Sequence, residues 1–142
     1  ERGMVFVQSH HTDPSAVWSS VPHWARHAMN GRNARLFALD TVAIAREVSS
    51  RADLQQRMQG IVLLGIFLRI TPFQSDLGLT EEQVFRGVEK SLRKYFGKRG
   101  ERVVQDNLQA VGRGYREVFE VPREVMLATA EQDKANAGLR VM

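Results

Sequence analysis

The side chains with chemical capacity in this chain are sparse and scattered. His10 and His11 stand together in the run Ser9-His10-His11-Thr12-Asp13-Pro14, directly after an apolar stretch. His23 and His27 are four residues apart, so on a helix they share a face and could hold one metal ion. No acidic residue or third histidine joins them at helical spacing, and Trp24 lies between; two surface histidines on an amphipathic helix are the plainer reading. Lys90, Arg93, Lys94, Lys98, Arg99 and Arg102 form the densest basic run. Such runs are more often solvated faces or complements to helix C-terminal dipoles than anion sites. Gly112-Arg113-Gly114 falls inside a helical pattern, not between a strand and a helix, so its N–H groups cannot cradle a phosphate. No Ser–His–Asp set, paired-carboxylate pattern or phosphate loop stands out. We assign no catalytic residue and no metal ligand. The chain has no cysteine, which excludes disulfides, thiol catalysis and cysteine-ligated metal or iron–sulfur sites from it.

The elements that must position these groups follow from apolar periodicity. Met4–Gln8 reads as a short buried strand. His10 and His11 then fall in the loop at its carboxyl end, where open α/β sheets gather ligands. Asp13 or Ser15 can cap a short helix through Val17, Trp18 and Val21, and Pro22 starts a second through Trp24, His27 and Ala28, stopped by Asn30-Gly31. Arg35–Leu39 reads as the second strand. It passes through an Asp40 or Thr41 cap into a helix with Val42, Ile44, Ala45 and Val48 facing inward. Leu54–Ile70 is apolar on every side from Ile61 onward, which predicts a central helix buried all round. Arg57 and Arg69 leave it short of the ~20 apolar residues that a membrane crossing needs.

Pro72 ends that helix, Gln74–Gly78 reads as a surface loop, and Thr80-Glu81-Glu82-Gln83 is a capping box. The box opens an amphipathic helix through Val84, Phe85, Val88, Leu92 and Phe96, broken at Gly97-Lys98-Arg99-Gly100. A long helix from Glu101 carries Val104, Leu108, Val111, Tyr115 and Val118; Gly112 and Gly114 are tolerable inside it if another backbone packs close. Phe85, Tyr95 and Phe96 read as core. Pro122 closes the segment, and 123–142 reads as a linker or the start of a following domain, with a helical stretch EVMLATAEQ.

This order gives the α/β class: a three-layer α/β/α arrangement with a mostly parallel sheet, incomplete at its N-terminal side because only two strands are legible. At 142 residues the chain has the size of one domain. The net charge of +4 is mild, and the basic residues are interspersed with acids, so nucleic acid is not an expected partner. No signal peptide or membrane span is legible, which sets the expectation at cytoplasmic with no membrane partner. Glu1-Arg2-Gly3 leads straight into a strand and reads as a fragment entered mid-domain.

Three stretches taken together resemble a known family. They are MVFVQS with the later RLFALDTVAIARE, then MQGIVLLGIFLRITPF, then VEKSLRKYFGKRGERVVQDNLQAVGRGYREVFEVP. Their order and spacing resemble the pyruvate:ferredoxin (flavodoxin) oxidoreductases, within the 2-oxoacid:ferredoxin oxidoreductases, in their gamma-type domain. The likeness runs roughly from Gly3 to Pro122; Phe96–Val104, Asn107, Val111 and Val121-Pro122 carry its most specific part. Gly60 stands where the family usually has Asn, and the family's glycine-rich opening strand is missing. The resemblance implies that 1–122 is the C-terminal part of a gamma-type domain. It implies an enzyme that oxidatively decarboxylates a 2-oxoacid on thiamine diphosphate, passes electrons through iron–sulfur clusters to ferredoxin or flavodoxin, and releases an acyl-CoA.

Implied partners are thiamine-binding and ferredoxin-like cluster domains or subunits, in an oligomer. No cofactor would be held by this chain alone. The gamma-type domain would close over the active site and receive coenzyme A, which makes His10, His11, Lys98 and Arg99 the expected CoA or phosphate contacts. An indolepyruvate- or 2-oxoglutarate-type enzyme fits the same stretches, as does a non-catalytic interaction module that kept the fold.

Overall fold

Asp13, Asp40 and Thr80 start three helices for one reason: each side-chain oxygen accepts a backbone N–H that the first helical turn leaves unpaired. Asp13 accepts from the Ala16 N–H at 3.3 Å and Asp40 from that of Ala43 at 3.0 Å. Thr80 accepts from the Gln83 N–H at 3.1 Å while Gln83 Oε1 accepts from the Thr80 N–H at 2.8 Å, the expected capping box. The computed structural model describes residues 2–128. Its elements run β1 (Met4–Gln8), α1 (Pro14–Ser20), α2 (His23–Gly31), β2 (Arg35–Leu39), α3 (Thr41–Val48), α4 (Gln55–Ile70), α5 (Phe73–Asp76), α6 (Glu81–Phe96), α7 (Glu101–Glu117) and β3 (Phe119–Glu120). Residues 123–128 are helical as well; the rest of the EVMLATAEQ stretch and of the expected linker lies outside the described residues. The chain divides into two units, Glu1–Leu39 with Phe119–Met142, and Asp40–Val118.

The first unit holds the sheet. β1 and β2 pair in parallel from Met4 against Arg35 to Gln8 against Leu39. Parallel strands need a crossover, which α1 and α2 supply. β3 adds antiparallel on the other side of β2, so the sheet is small, mixed and ordered β1-β2-β3. The expectation of two strands missed β3 because two residues are too short to show a period. Two contacts hold it. The Val121 N–H donates to the Leu36 carbonyl at 2.8 Å, and Arg35 donates twice to the Glu120 carboxylate, at 2.9 and 2.8 Å. That guanidinium holds the Glu120 carboxyl below the usual carboxylate range. Val17, Trp18, Val21, Leu36, Ala38, Val121 and Met126 form the core of this unit. β1 corrects the expected buried strand: Met4 and Val5 are exposed, because β1 is an edge strand with β2 as its one partner among the described residues.

In the second unit α4 and α7 meet backbone to backbone. A Cβ on Gly65 would overlap the Val111 carbonyl oxygen, and one on Gly114 would overlap that of Val62. The glycine inside α7 is thus explained at Gly114, whereas Gly112 lies against the Arg116 side chain. Leu68, Val84, Val111 and Tyr115 form a core cluster in which the Phe85 and Tyr115 rings meet edge to face at 5.1 Å. The Tyr115 hydroxyl donates to Gln74 Oε1, and Arg113 pairs with both Glu117 and Glu47, tying α7 to α3.

Several expectations fail in this unit. α4 is not buried all round: Leu63, Leu64 and Phe67 are 42%, 40% and 55% exposed, because α3 and α7 cover one side of it. Val42 is exposed and Thr41 buried instead. Part of the expected loop at 74–78 belongs to α5, whose one turn is closed by the Asp76 N–H on the Pro72 carbonyl at 2.8 Å. Tyr95 is not core but 73% exposed.

Candidate functional site

β1 delivers His10 and His11 to the carboxyl end of the parallel pair. Buried Ser9 fixes the exit: its N–H donates to the Leu39 carbonyl at 3.3 Å, and its hydroxyl accepts the His11 N–H at 3.2 Å. The two imidazoles lie against each other, centroids 4.1 Å apart and tilted by 36°. His10 is exposed and His11 half-buried. Such a pair can donate ring N–H groups to an anion.

Lys98 and Arg99 sit in the second unit, at the turn between α6 and α7. A single 3-10 turn over Gly97–Arg99 ends at Gly100, whose φ of 107° is left-handed backbone that suits glycine. Arg93 clamps the turn. Its guanidinium donates to Glu101 at 2.6 and 2.9 Å and to Glu89 at 3.0 Å, joining the end of α6 to the start of α7. Those bonds, with one from Gln105, hold the Glu101 carboxyl down to about 2. Both Lys98 and Arg99 are exposed. The Arg99 guanidinium carbon lies 5.9 Å from the centroid of the Phe96 ring, and that of Arg57, from α4, lies 5.1 Å from the same centroid.

The basic run therefore resolves into parts with different fates. Arg93, expected to complement the C-terminal dipole of its helix, is instead held by the Glu89 and Glu101 carboxylates. Lys90 and Lys94 lie roughly 120–160° around α6 from Phe96 by helical geometry. Arg57, Lys98, Arg99 and Arg102 have no carboxylate in ion-pair contact among the described residues. Arg57 is not legible in the sequence, because no spacing rule links a residue of α4 to the turn after α6. Phe96, expected in the core, is only half-buried.

His23 and His27 do share α2 and are both exposed; no three His, Cys, Asp or Glu side chains converge on a metal position among the described residues. Gly112-Arg113-Gly114 lies inside α7, as expected.

One further surface stands out. Leu63, Leu64 and Phe67 recur along α4 at helical spacing, and Phe73 and Leu77 are exposed nearby in the chain. Beside them is a groove of about 320 Å³ lined by Leu64, Leu68, Phe73, Leu79, Val84 and Leu92. Exposed apolar side chains grouped in this way mark surfaces that contact another macromolecule or a ligand.

No curated protein matches this chain. The family model described as pyruvate ferredoxin/flavodoxin oxidoreductase matches residues 1–117, which takes in both strands of the parallel pair, the His10-His11 loop, the exposed face of α4 and the Lys98-Arg99 turn. The chain belongs to the pyruvate ferredoxin/flavodoxin oxidoreductase family.

Proposed function

We propose that this chain is the gamma-type domain or subunit of a 2-oxoacid:ferredoxin oxidoreductase of the pyruvate type. The observation that carries the reading is the family match across residues 1–117. In the full enzyme, thiamine diphosphate would supply the decarboxylation chemistry and iron–sulfur clusters would carry electrons toward ferredoxin or flavodoxin. A chain without cysteine does not fit a thiolate-ligated cluster, so the clusters belong to companion domains or subunits in this reading, and the family likeness supports placing thiamine diphosphate there as well. The exposed apolar face of α4 supports a component built to work against partners.

This chain's own part is to receive coenzyme A and cover the acyl-transfer site. Lys98 and Arg99 at the α6–α7 turn hold phosphate groups of coenzyme A. His10 and His11, in the other unit, are a separate candidate for phosphate contact. In the complete protein the small sheet forms part of a three-layer α/β/α domain with a mostly parallel sheet. Residues 1–122 belong to that domain and 123–142 lead toward a following segment. The enzyme works as a cytoplasmic oligomer.

The test is kinetic. Replacing Lys98 and Arg99 together by Gln in the intact enzyme should raise the Michaelis constant for coenzyme A by about tenfold or more, since a hydrogen bond to a charged group is worth ~1.5–3 kcal/mol. The Michaelis constant for pyruvate should not move. An unchanged constant for coenzyme A would sink the assignment of these residues.

A further inference from the structure

Two guanidinium groups from different elements rest on one aromatic ring. Arg57 comes from α4 and Arg99 from the turn after α6, with Cζ atoms 5.1 and 5.9 Å from the Phe96 centroid. Each is attracted to the ring face, but a ring quadrupole does not neutralise a cation. Asp53 and Glu101, the carboxylates nearest to them in sequence, are already bound to Arg51 and Arg93. Both arginines are exposed and without an ion pair among the described residues. Like charges near one ring repel each other, and an anion within reach of both would offset that repulsion. A guanidinium held against a ring is also partly pre-organised, so less freedom is lost when its planar fork binds a phosphate.

We infer that Arg57, Arg99 and the Phe96 ring form a binding site for a phosphate-ester anion, with Arg57 as its second guanidinium. This deepens the coenzyme A reading, on which the identity of the ester rests; the site itself rests on the shared ring and the missing counter-charge. Lys90 and Lys94, on the other side of α6, take no part.

The experiment is isothermal titration calorimetry of the native, full-length protein with inorganic pyrophosphate. Arg57→Gln and Arg99→Gln should each weaken binding about tenfold, as expected for losing a charge-assisted contact. The double variant Lys90→Gln, Lys94→Gln should stay within about twofold, since only screened long-range charge is removed. Arg57→Lys, which keeps the charge and loses the fork, should fall between wild type and Arg57→Gln.

Unchanged affinity in Arg57→Gln overturns the inference. So does a wild-type protein that ignores pyrophosphate while binding a polyglutamate peptide through Arg57, which would make this an acidic-protein surface. The Michaelis constant for coenzyme A separates the two claims. If both arginine variants weaken pyrophosphate binding and leave that constant alone, the anion site stands and the coenzyme A reading fails. If Arg99→Gln raises the constant and Arg57→Gln changes neither readout, the coenzyme A reading stands and the role of Arg57 fails.

Discussion

Replacing Gly65 by Ala tests the packing of the second unit at its tightest point. At an ordinary helix position the exchange is favourable, because glycine costs up to ~1 kcal/mol relative to alanine. Gly60, in the same helix, is such a position: nothing lies within 4 Å of an added Cβ. Gly60→Ala should therefore gain about 0.5–1 kcal/mol. At Gly65 the same methyl would overlap the Val111 carbonyl oxygen and come within 2.9 Å of the Tyr115 nitrogen. These are backbone atoms of α7, so no side chain can swing aside and the helices must part. Parting them loosens Val62, Ile66 and Val111, which are almost wholly buried. Overpacking a core costs ~1–3 kcal/mol, and lost contacts around the displaced helix add to it. Net of the propensity gain, Gly65→Ala should destabilise the chain by about 2–4 kcal/mol. Urea unfolding of the chain followed by circular dichroism gives both variants on one scale, with the slope m unchanged if the comparison is sound. A Gly65→Ala variant as stable as Gly60→Ala would refute the close approach of α4 and α7.

Neighbouring residues of α4 should respond in opposite ways. Ile66→Ala, at 2% exposure, should cost about 2–5 kcal/mol, whereas Phe67→Ala, at 55%, should cost less than ~1 kcal/mol and improve solubility. Equal losses in urea unfolding would contradict the one-sided burial of the helix. The Arg93–Glu101 clamp makes a pH prediction. The Glu101 carboxyl, at about 2 when folded against an ordinary 4.5, binds fewer protons than in the unfolded chain, so its contribution is complete above pH 4.5 and is lost as pH falls toward 2. Glu101→Gln should flatten the stability profile in that window, and added salt should blunt the difference because the pair is exposed. An identical acid limb in wild type and variant would show that the clamp contributes nothing.

The sequence made some of this legible and hid the rest for identifiable reasons. β1 and β2 were readable to the residue, since each is a short apolar run bounded by turn or cap residues. The Thr80–Gln83 box was readable because capping is local chemistry, and Asp13 and Asp40 were readable as one of two candidates each, beside Ser15 and Thr41. α4 was readable as a helix but not in its burial. Apolar character on every side shows that a helix avoids water, not which neighbours cover it, and here Leu63, Leu64 and Phe67 remain open. β3 was too short for any period, and its pairing depends on Arg35 and Glu120, far apart in the chain.

The candidate site divides in the same way. Lys98 and Arg99 follow from a charge run at a glycine break. Arg57 does not, because its relation to them exists only once α4 lies beside the end of α6. The acid–base balance of the run was equally hidden: Arg93 looks like its neighbours in sequence and differs from them in being held by Glu89 and Glu101.

The most direct test of the central claim is the intact mass of the native species that contains this chain, recorded together with its visible absorption spectrum. A gamma-type component should be found in an assembly much larger than the 16.1 kDa of this chain, brown from companion iron–sulfur clusters, that oxidises pyruvate only when coenzyme A is supplied. A colourless species of about this chain's own mass, with no partner and no such activity, would contradict it.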